Sequence, residues 1–207
     1  MADADLVHVI DDDDAARDSL AFLLRTAALN VRTYDSALAF LPAIQAQPQG
    51  CIVTDVRMPD MSGIDLLRRL RELNIDLPVI VITGHGDIPL AVEAMKSGAV
   101  EFLEKPFDDD VMLAAIRSAL GRSRELDSRA AEKAEITQRL ASLSQRERQV
   151  LDGLVAGLPN KTIAYDLGIS PRTVEVYRAN LMTKMEANSL SDLVRMALIG
   201  QGTAGGK

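Results

Sequence analysis

The sequence predicts an α/β domain on a five-stranded parallel sheet, joined by a helical linker to a small all-α domain of four helices. Three observations carry that prediction. Over the first 120 residues, short β-branched runs alternate with longer amphipathic ones, the pattern of strand–helix–strand units. After Leu143 the strand signals stop and only helical patterns remain. The charge shifts as well: residues 1–120 carry 20 acidic and 10 basic side chains, residues 142–207 only 6 and 8. Two domains with different partners are therefore expected.

The elements follow in order. Leu6–Ile10, Val31–Asp35, Cys51–Asp55, Val79–Thr83 and Glu101–Lys105 read as strands. Between them, Ala15–Ala27 repeats Ala16, Leu20, Leu23 and Leu24 at helical spacing, and Ser62–Leu73 sets Leu66, Leu67, Leu70 and Leu73 on one side. A further helix, Asp87–Ser97, stops at Gly98. This alternation implies a parallel sheet covered on both faces, of flavodoxin-like type, with ligands at the carboxyl ends of the strands. From about 108 to 141 the pattern stays helical but becomes charged, without Pro after Pro106 or Gly after Gly121 in that stretch. It reads as the last helix of the first domain continuing into a linker. There Ile136, Leu140 and Leu143 suit either a short coiled-coil seam or a solvated helix.

Ser144-Gln145-Arg146-Glu147 has capping-box spacing and opens a helix holding Val150, Leu151, Leu154 and Val155. Helices follow at about 160–167, 171–185 and 189–199, and the Gly-rich tail Gly200–Lys207 is expected to fray. The expected boundaries are 1–121, a linker 122–141, and 142–207.

Composition narrows the function classes. Hydrophobic content of 47% with 26% charge excludes a disordered chain, and 3% aromatics with no Trp require aliphatic cores. No run approaches the roughly 18 apolar residues of a membrane span, and no basic stretch followed by an apolar region marks a secretory leader. A cytoplasmic location with no membrane partner is expected. Cys51 lies in an apolar run and reads as core rather than as a reactive thiol.

Each strand end of the first domain delivers a polar residue: Asp11-Asp12, Asp55, Thr83-Gly84 and Lys105-Pro106. An acidic turn alone is ordinarily a solvated feature, but parallel strands would bring all four ends to one edge. Three carboxylates in one cleft require a cation, and an oxygen-only donor set favours Mg²⁺ over zinc. One carboxylate then serves as nucleophile towards phosphorus, with the metal and Lys105 holding the phosphoryl oxygens. Asp55 is the candidate because it closes the strand expected to be central, and the Thr83 hydroxyl would sense the product.

The runs Val7–Asp12, Asp55-Val56-Arg57-Met58-Pro59-Asp60-Met61-Ser62-Gly63, Thr83-Gly84 and Lys105-Pro106-Phe107 resemble the receiver domain of response regulators. The resemblance implies that Asp55 is phosphorylated by a histidine kinase. It also implies that Asp11, Asp12, Asp55 and the backbone carbonyl of Arg57 hold Mg²⁺, and that Thr83 and Phe102 act as switch residues. Phe102 carries no hydroxyl, so its part would be played by ring packing. Such a protein is a phospho-acceptor taking part in its own Mg²⁺-dependent transfer rather than an enzyme. Haloacid-dehalogenase-type phosphatases share the strand-end aspartate but need a second one two residues later, where this chain has Arg57.

In the second domain Ala164, Gly168 and Val174 have helix-turn-helix spacing, and Ser170-Pro171 is a strong helix start. Val174, Tyr177, Leu181 and Met185 would face the core, leaving Arg172, Thr173, Glu175, Val176, Ala179 and Asn180 for a major groove. Lys161, Arg178 and Lys184 are candidates for phosphate contact, and Asn160, at the cap of its helix, for the DNA backbone. The stretches Ser144–Leu151, Asn160–Ala164 and Ser170–Val176 resemble LuxR-type output domains. That resemblance implies promoter DNA and RNA polymerase as partners, and a dimer contact on the last helix, where Leu190, Leu193, Val194, Ala197 and Leu198 form an apolar stripe.

With Thr83-Gly84-His85-Gly86-Asp87 and Ala94-Met95-Lys96-Ser97-Gly98-Ala99, the chain resembles the subgroup of these regulators that activates nitrogen-fixation genes. The partner kinase would then be a haem-containing oxygen sensor. Phosphorylation, adding about −1.5 to −2 charge, is expected to draw in Thr83 and Lys105, repack Phe102 and release the output domain as a homodimer on two-fold DNA.

Overall fold

The structure is a computed structural model that describes residues 5–84, 88–200 and 202. Its backbone contacts divide the chain into two units, Met1–Asp127 and Ser128–Lys207. The division falls within the stretch 122–141 read from the sequence as a linker.

The first unit contains β1 (Leu6–Ile10), α1 (Asp14–Thr26), β2 (Asn30–Tyr34), α2 (Ala37–Ala46), β3 (Cys51–Asp55), α3 (Gly63–Glu72), β4 (Val79–Thr83), α4 (Ile88–Lys96) and β5 (Glu101–Glu104), and the helix α5 (Asp109–Ala141) begins in it. The strands lie in the order β2-β1-β3-β4-β5 and every neighbouring pair is parallel. β3 is therefore central, as expected of the strand that ends in Asp55. The three inner strands are buried along their whole length, whereas β2 and β5, the edges, are half exposed.

Successive strand residues point to opposite faces. Ile52, Val79 and Val81 pack with Phe40, Ile44, Ile64, Leu67 and Ala94 of α2, α3 and α4. Cys51, Val53, Ile80 and Ile82 pack with Leu20 and Leu24 of α1 and with Met112 and Ile116 of α5. Two aliphatic cores thus sandwich the sheet. Cys51 is buried, and burial pushes its thiol up to about 12, which suits a structural residue.

α2 has no counterpart in the sequence reading. Its residues are apolar almost throughout and include Pro42, so no one-sided stripe marks it; Ser36 caps it by accepting from the Ala39 N–H. β2 begins and ends one residue earlier than its β-branched run suggests, and Lys105 lies just beyond β5. The expected helix start at Asp87, and the His85-Gly86-Asp87 part of its motif, lie outside the described residues. Most of the C-terminal tail does too.

The second unit holds the end of α5 with α6 (Gln145–Val155), α7 (Asn160–Leu167), α8 (Pro171–Met185) and α9 (Leu190–Gly200). One core joins Val150, Leu151 and Leu154 of α6 to Ile163 and Ala164 of α7, Val174, Leu181 and Met185 of α8, and Leu193 and Ala197 of α9. Ile136 and Leu143 are buried in the same core and Leu140 packs against it, so these residues form neither a coiled-coil seam nor a solvated face. Ile136 and Leu140 press on Gly200, where an added Cβ would meet Leu140 Cδ1 at 2.1 Å. Among the described residues no helix is long and apolar enough to cross a membrane.

Candidate functional site

The parallel sheet carries the carboxyl ends of its strands to one edge, and there the expected residues meet. Lys105 Nζ donates to Asp11 Oδ2 at 2.7 Å and to Asp55 Oδ1 at 2.8 Å. The remaining carboxylate oxygens are held by the backbone: Asp55 Oδ2 accepts from the Arg57 N–H at 2.6 Å, and Asp11 Oδ1 from the Asp13 N–H at 3.0 Å. Asp11 is only 2% exposed and Asp55 7%. Two nearly buried carboxylates thus share one ammonium, and the cleft keeps an excess of negative charge. Burial works against the charge on Lys105, but its bonds and attraction to Asp11 and Asp55 outweigh that and hold its pKa above the ordinary lysine value.

The local sequence explains how the strand ends are held. The Gly63 N–H donates to the Val56 carbonyl at 3.0 Å, and a Cβ on Gly63 would stand 2.3 Å from the Asp55 carbonyl oxygen. Only glycine lets the start of α3 close so tightly on the end of β3. Thr83 is buried at the end of β4, and its carbonyl accepts from the Lys105 N–H at 2.7 Å. The Lys105–Pro106 peptide is cis. Phe102 is half buried on β5 and packs against the core that faces α2, α3 and α4.

Not every expected residue joins this group. Asp12 is exposed, and among the described residues no three carboxylate, imidazole or thiol groups stand close enough to hold a metal. Lys105 bridges Asp11 and Asp55, while Asp12 lies exposed on the turn between β1 and α1. Arg57 takes part through its backbone while its residue is exposed. Sequence reading missed Asp13 and Arg17. Asp13 caps α1 by accepting from the Ala16 N–H, and Arg17 donates to the Asp11 carbonyl at 2.7 Å. The N-cap position of Asp13 was the available signal. Beside the pair, an apolar hollow of about 610 Å³ has Asp11 and Lys105 in its wall together with Phe22, Leu23 and Phe107.

In the second unit, Gly168 closes α7 in the left-handed conformation (φ 64°), while Ala164 and Val174 are buried, as a helix-turn-helix crossing requires. Ser170 Oγ accepts from the Thr173 N–H at 3.1 Å and Pro171 occupies the first turn of α8. Val174, Leu181 and Met185 are fully buried and Tyr177 half buried. On the other side Arg172, Glu175, Val176, Ala179 and Asn180 are exposed, and Thr173 is half buried with its hydroxyl 2.8 Å from that of Ser170. An α8 capped at its start and exposed along one face can enter a major groove.

The four candidates for backbone contact divide. Lys161 is exposed. Asn160 is not a cap: Pro159 is, without a side-chain bond, and Asn160 Oδ1 accepts from Arg178 at 3.0 Å. Lys184 Nζ donates to Glu147 Oε2 at 2.8 Å. That carboxylate is buried and closes the capping box with Ser144; the bond from Lys184, then that from the Ser144 backbone, hold it below the usual glutamate range.

Comparison with known proteins assigns a family to each unit. The family described as response regulator receiver domain matches residues 7–117, and that of bacterial regulatory proteins, luxR family, matches residues 141–197. Transcriptional regulatory protein FixJ of Azorhizobium caulinodans is 64% identical over 193 residues, covering 93% of this chain and 92% of its own length. The FixJ of Rhizobium meliloti is 56% identical, with 94% and 95% covered. Among solved structures, full-length FixJ from B. japonicum is 55% identical at a TM-score of 0.58, covering 95% of this chain and 97% of that one. Response regulator StyR is 43% identical at a TM-score of 0.82, covering 93% and 97%. The chain therefore belongs to the response regulators, with a receiver domain followed by a LuxR-family regulatory domain, and within them to the FixJ group.

Proposed function

We propose that this protein is a transcriptional activator of nitrogen-fixation and microaerobic genes, switched when a FixL-like oxygen-sensing histidine kinase phosphorylates Asp55. The observation that carries this reading is the Asp11–Lys105–Asp55 bridge at the carboxyl edge of the sheet, in a chain that also presents a capped helix-turn-helix.

An Asp55 carboxylate oxygen attacks the phosphorus of the kinase phosphohistidine, the P–N bond breaks, and an acyl phosphate forms on Asp55. Lys105, already bonded to that carboxylate, is in reach to hold a phosphoryl oxygen. Two buried carboxylates against one ammonium, with oxygen donors only, fit Mg²⁺; Asp11, Asp12, Asp55 and the Arg57 carbonyl would hold it. When bound, the ion supplies neutralisation of the charge on the phosphoryl oxygens. Thr83 and Phe102 register the modification, Thr83 by turning its hydroxyl to the phosphoryl group and Phe102 by repacking. The phosphorylated protein dimerises and sets two α8 helices on a two-fold promoter site, where it recruits RNA polymerase. Arg172, Thr173, Glu175, Val176, Ala179 and Asn180 face the bases, and Lys161 a phosphate. This work takes place in the bacterial cytoplasm.

The test is a gel shift on promoter fragments with wild type and Asp55→Asn, with and without Mg²⁺ and acetyl phosphate. Binding enhanced only for treated wild type supports the switch. Equal binding in all samples refutes it.

A further inference from the structure

The C-terminal end of α8 is gripped from outside the helix-turn-helix. Arg139, in the last turn of α5, donates to the Met185 carbonyl at 3.0 Å and to Glu186 Oε2 and Glu135 Oε1, both at 2.8 Å. The Met185 carbonyl belongs to the last turn of α8, where carbonyls lack partners within the helix and a cation opposes the negative end of the helix dipole. At Glu186 the chain leaves α8 through a left-handed conformation (φ 52°), so the backbone reverses direction where Arg139 holds it. The platform is firm: Ile136 is 2% exposed and Leu140 packs into the same core. One residue before Met185, Lys184 is tied to the buried Glu147 of α6.

We infer that Arg139 is a positioning residue for DNA reading: it fixes the end of α8, and with it the angle at which Arg172, Glu175, Val176 and Asn180 meet the base edges. Ser170 holds the start of α8, and at its end Arg139 adds a hold on the last-turn carbonyl to the tie between Lys184 and Glu147. Base contacts depend on that angle, whereas phosphate contacts from flexible side chains tolerate small changes of it. Arg139 is spent inside the protein and neutralises no phosphate. This inference rests on the reading of α8 as the DNA-reading helix.

The test uses the full chain treated with Mg²⁺ and acetyl phosphate, a duplex selected from random sequences, and a scrambled duplex of equal length. Affinities are measured across a salt series for wild type, Arg139→Gln, Arg139→Ala and Arg172→Ala. Arg139→Gln keeps a hydrogen-bond donor and guards against loss of fold. The expected result is that both Arg139 variants lower the ratio of specific to non-specific affinity, Arg139→Ala by about tenfold, the scale of one weakened base contact, with an unchanged salt slope. A purely structural role would reduce the folded fraction and lower both affinities equally, leaving the ratio flat. A flat ratio for the Arg139 variants beside a reduced one for Arg172→Ala overturns the positioning role alone. Flat ratios for all three overturn the reading of α8 and the positioning role with it.

Discussion

The two units place polar chemistry in opposite ways. The first hides it: Asp11 and Asp55 are nearly buried, and their oxygens are satisfied by one lysine and two backbone N–H groups drawn from separate segments. The second displays it: the candidate base-reading side chains of α8 are mostly exposed, and the buried carboxylate of Glu147 serves to hold helices together. Buried charge is costly unless paired, so a pair within the first unit is an all-or-none device. Exposed side chains on a braced helix act by degrees.

The sharpest way to break this comparison is Asp55→Asn. Uptake of a phosphoryl group from acetyl phosphate, read by intact-protein mass, is expected to vanish; uptake at an unchanged level would remove Asp55 from the centre of the first unit. Next comes a pH effect. His8 is 1% exposed, with Nδ1 3.2 Å from Tyr34 Oη and Nε2 3.1 Å from the Gln49 carbonyl. Burial, chiefly, lowers its pKa to about 4, with Arg32 adding to the shift and the Gln49 bond opposing it. The unfolded imidazole binds protons more readily, so stability present above about pH 6.5 is lost as pH falls through about 4, by on the order of 3 kcal/mol. Urea unfolding at stepped pH checks this, and His8→Gln is expected to flatten the limb.

Lys105→Met leaves two buried carboxylates without their shared ammonium. It is expected to cost the first unit about 2 kcal/mol in chelator, less than a fully buried pair because the lysine is partly exposed, with part recovered on adding Mg²⁺. Stability unchanged in chelator would mean that the bridge holds nothing together. In the second unit Glu147→Gln removes a charged cap and the partner of Lys184, at about 1 kcal/mol, read as a shift of the urea midpoint. Least of all, Arg195→Ala deletes exposed ion pairs with Glu132 and Asp192 and is expected to leave the melting temperature unchanged within error.

Much of this was legible along the chain for a physical reason. Strand ends recur at intervals, and a parallel sheet must bring them to one edge, so Asp11, Asp55, Thr83 and Lys105 could be gathered from spacing alone. α2 was not legible, because a helix that is apolar nearly all round shows no stripe and Pro42 argues against it. That Asp12 lies exposed while Asp11 is buried was not legible either, because periodicity does not say how the chain turns after β1. Nor was it legible that Arg178 and Lys184, read as candidates for phosphate contact, bond to Asn160 and Glu147, 18 and 37 residues away in the chain.

By itself the sequence determined the five strands to within a residue at their ends, the helices other than α2, and which face of α8 is polar. These are properties of period and local chemistry, carried by neighbours in the chain. Only the tertiary structure decided that Lys105 lies between Asp11 and Asp55, that Ile136 and Leu143 belong to the second unit's core, and that Arg139 grips the end of α8. Each of these turns on a contact between residues far apart in the chain, where distance and burial, not pattern, choose the partner.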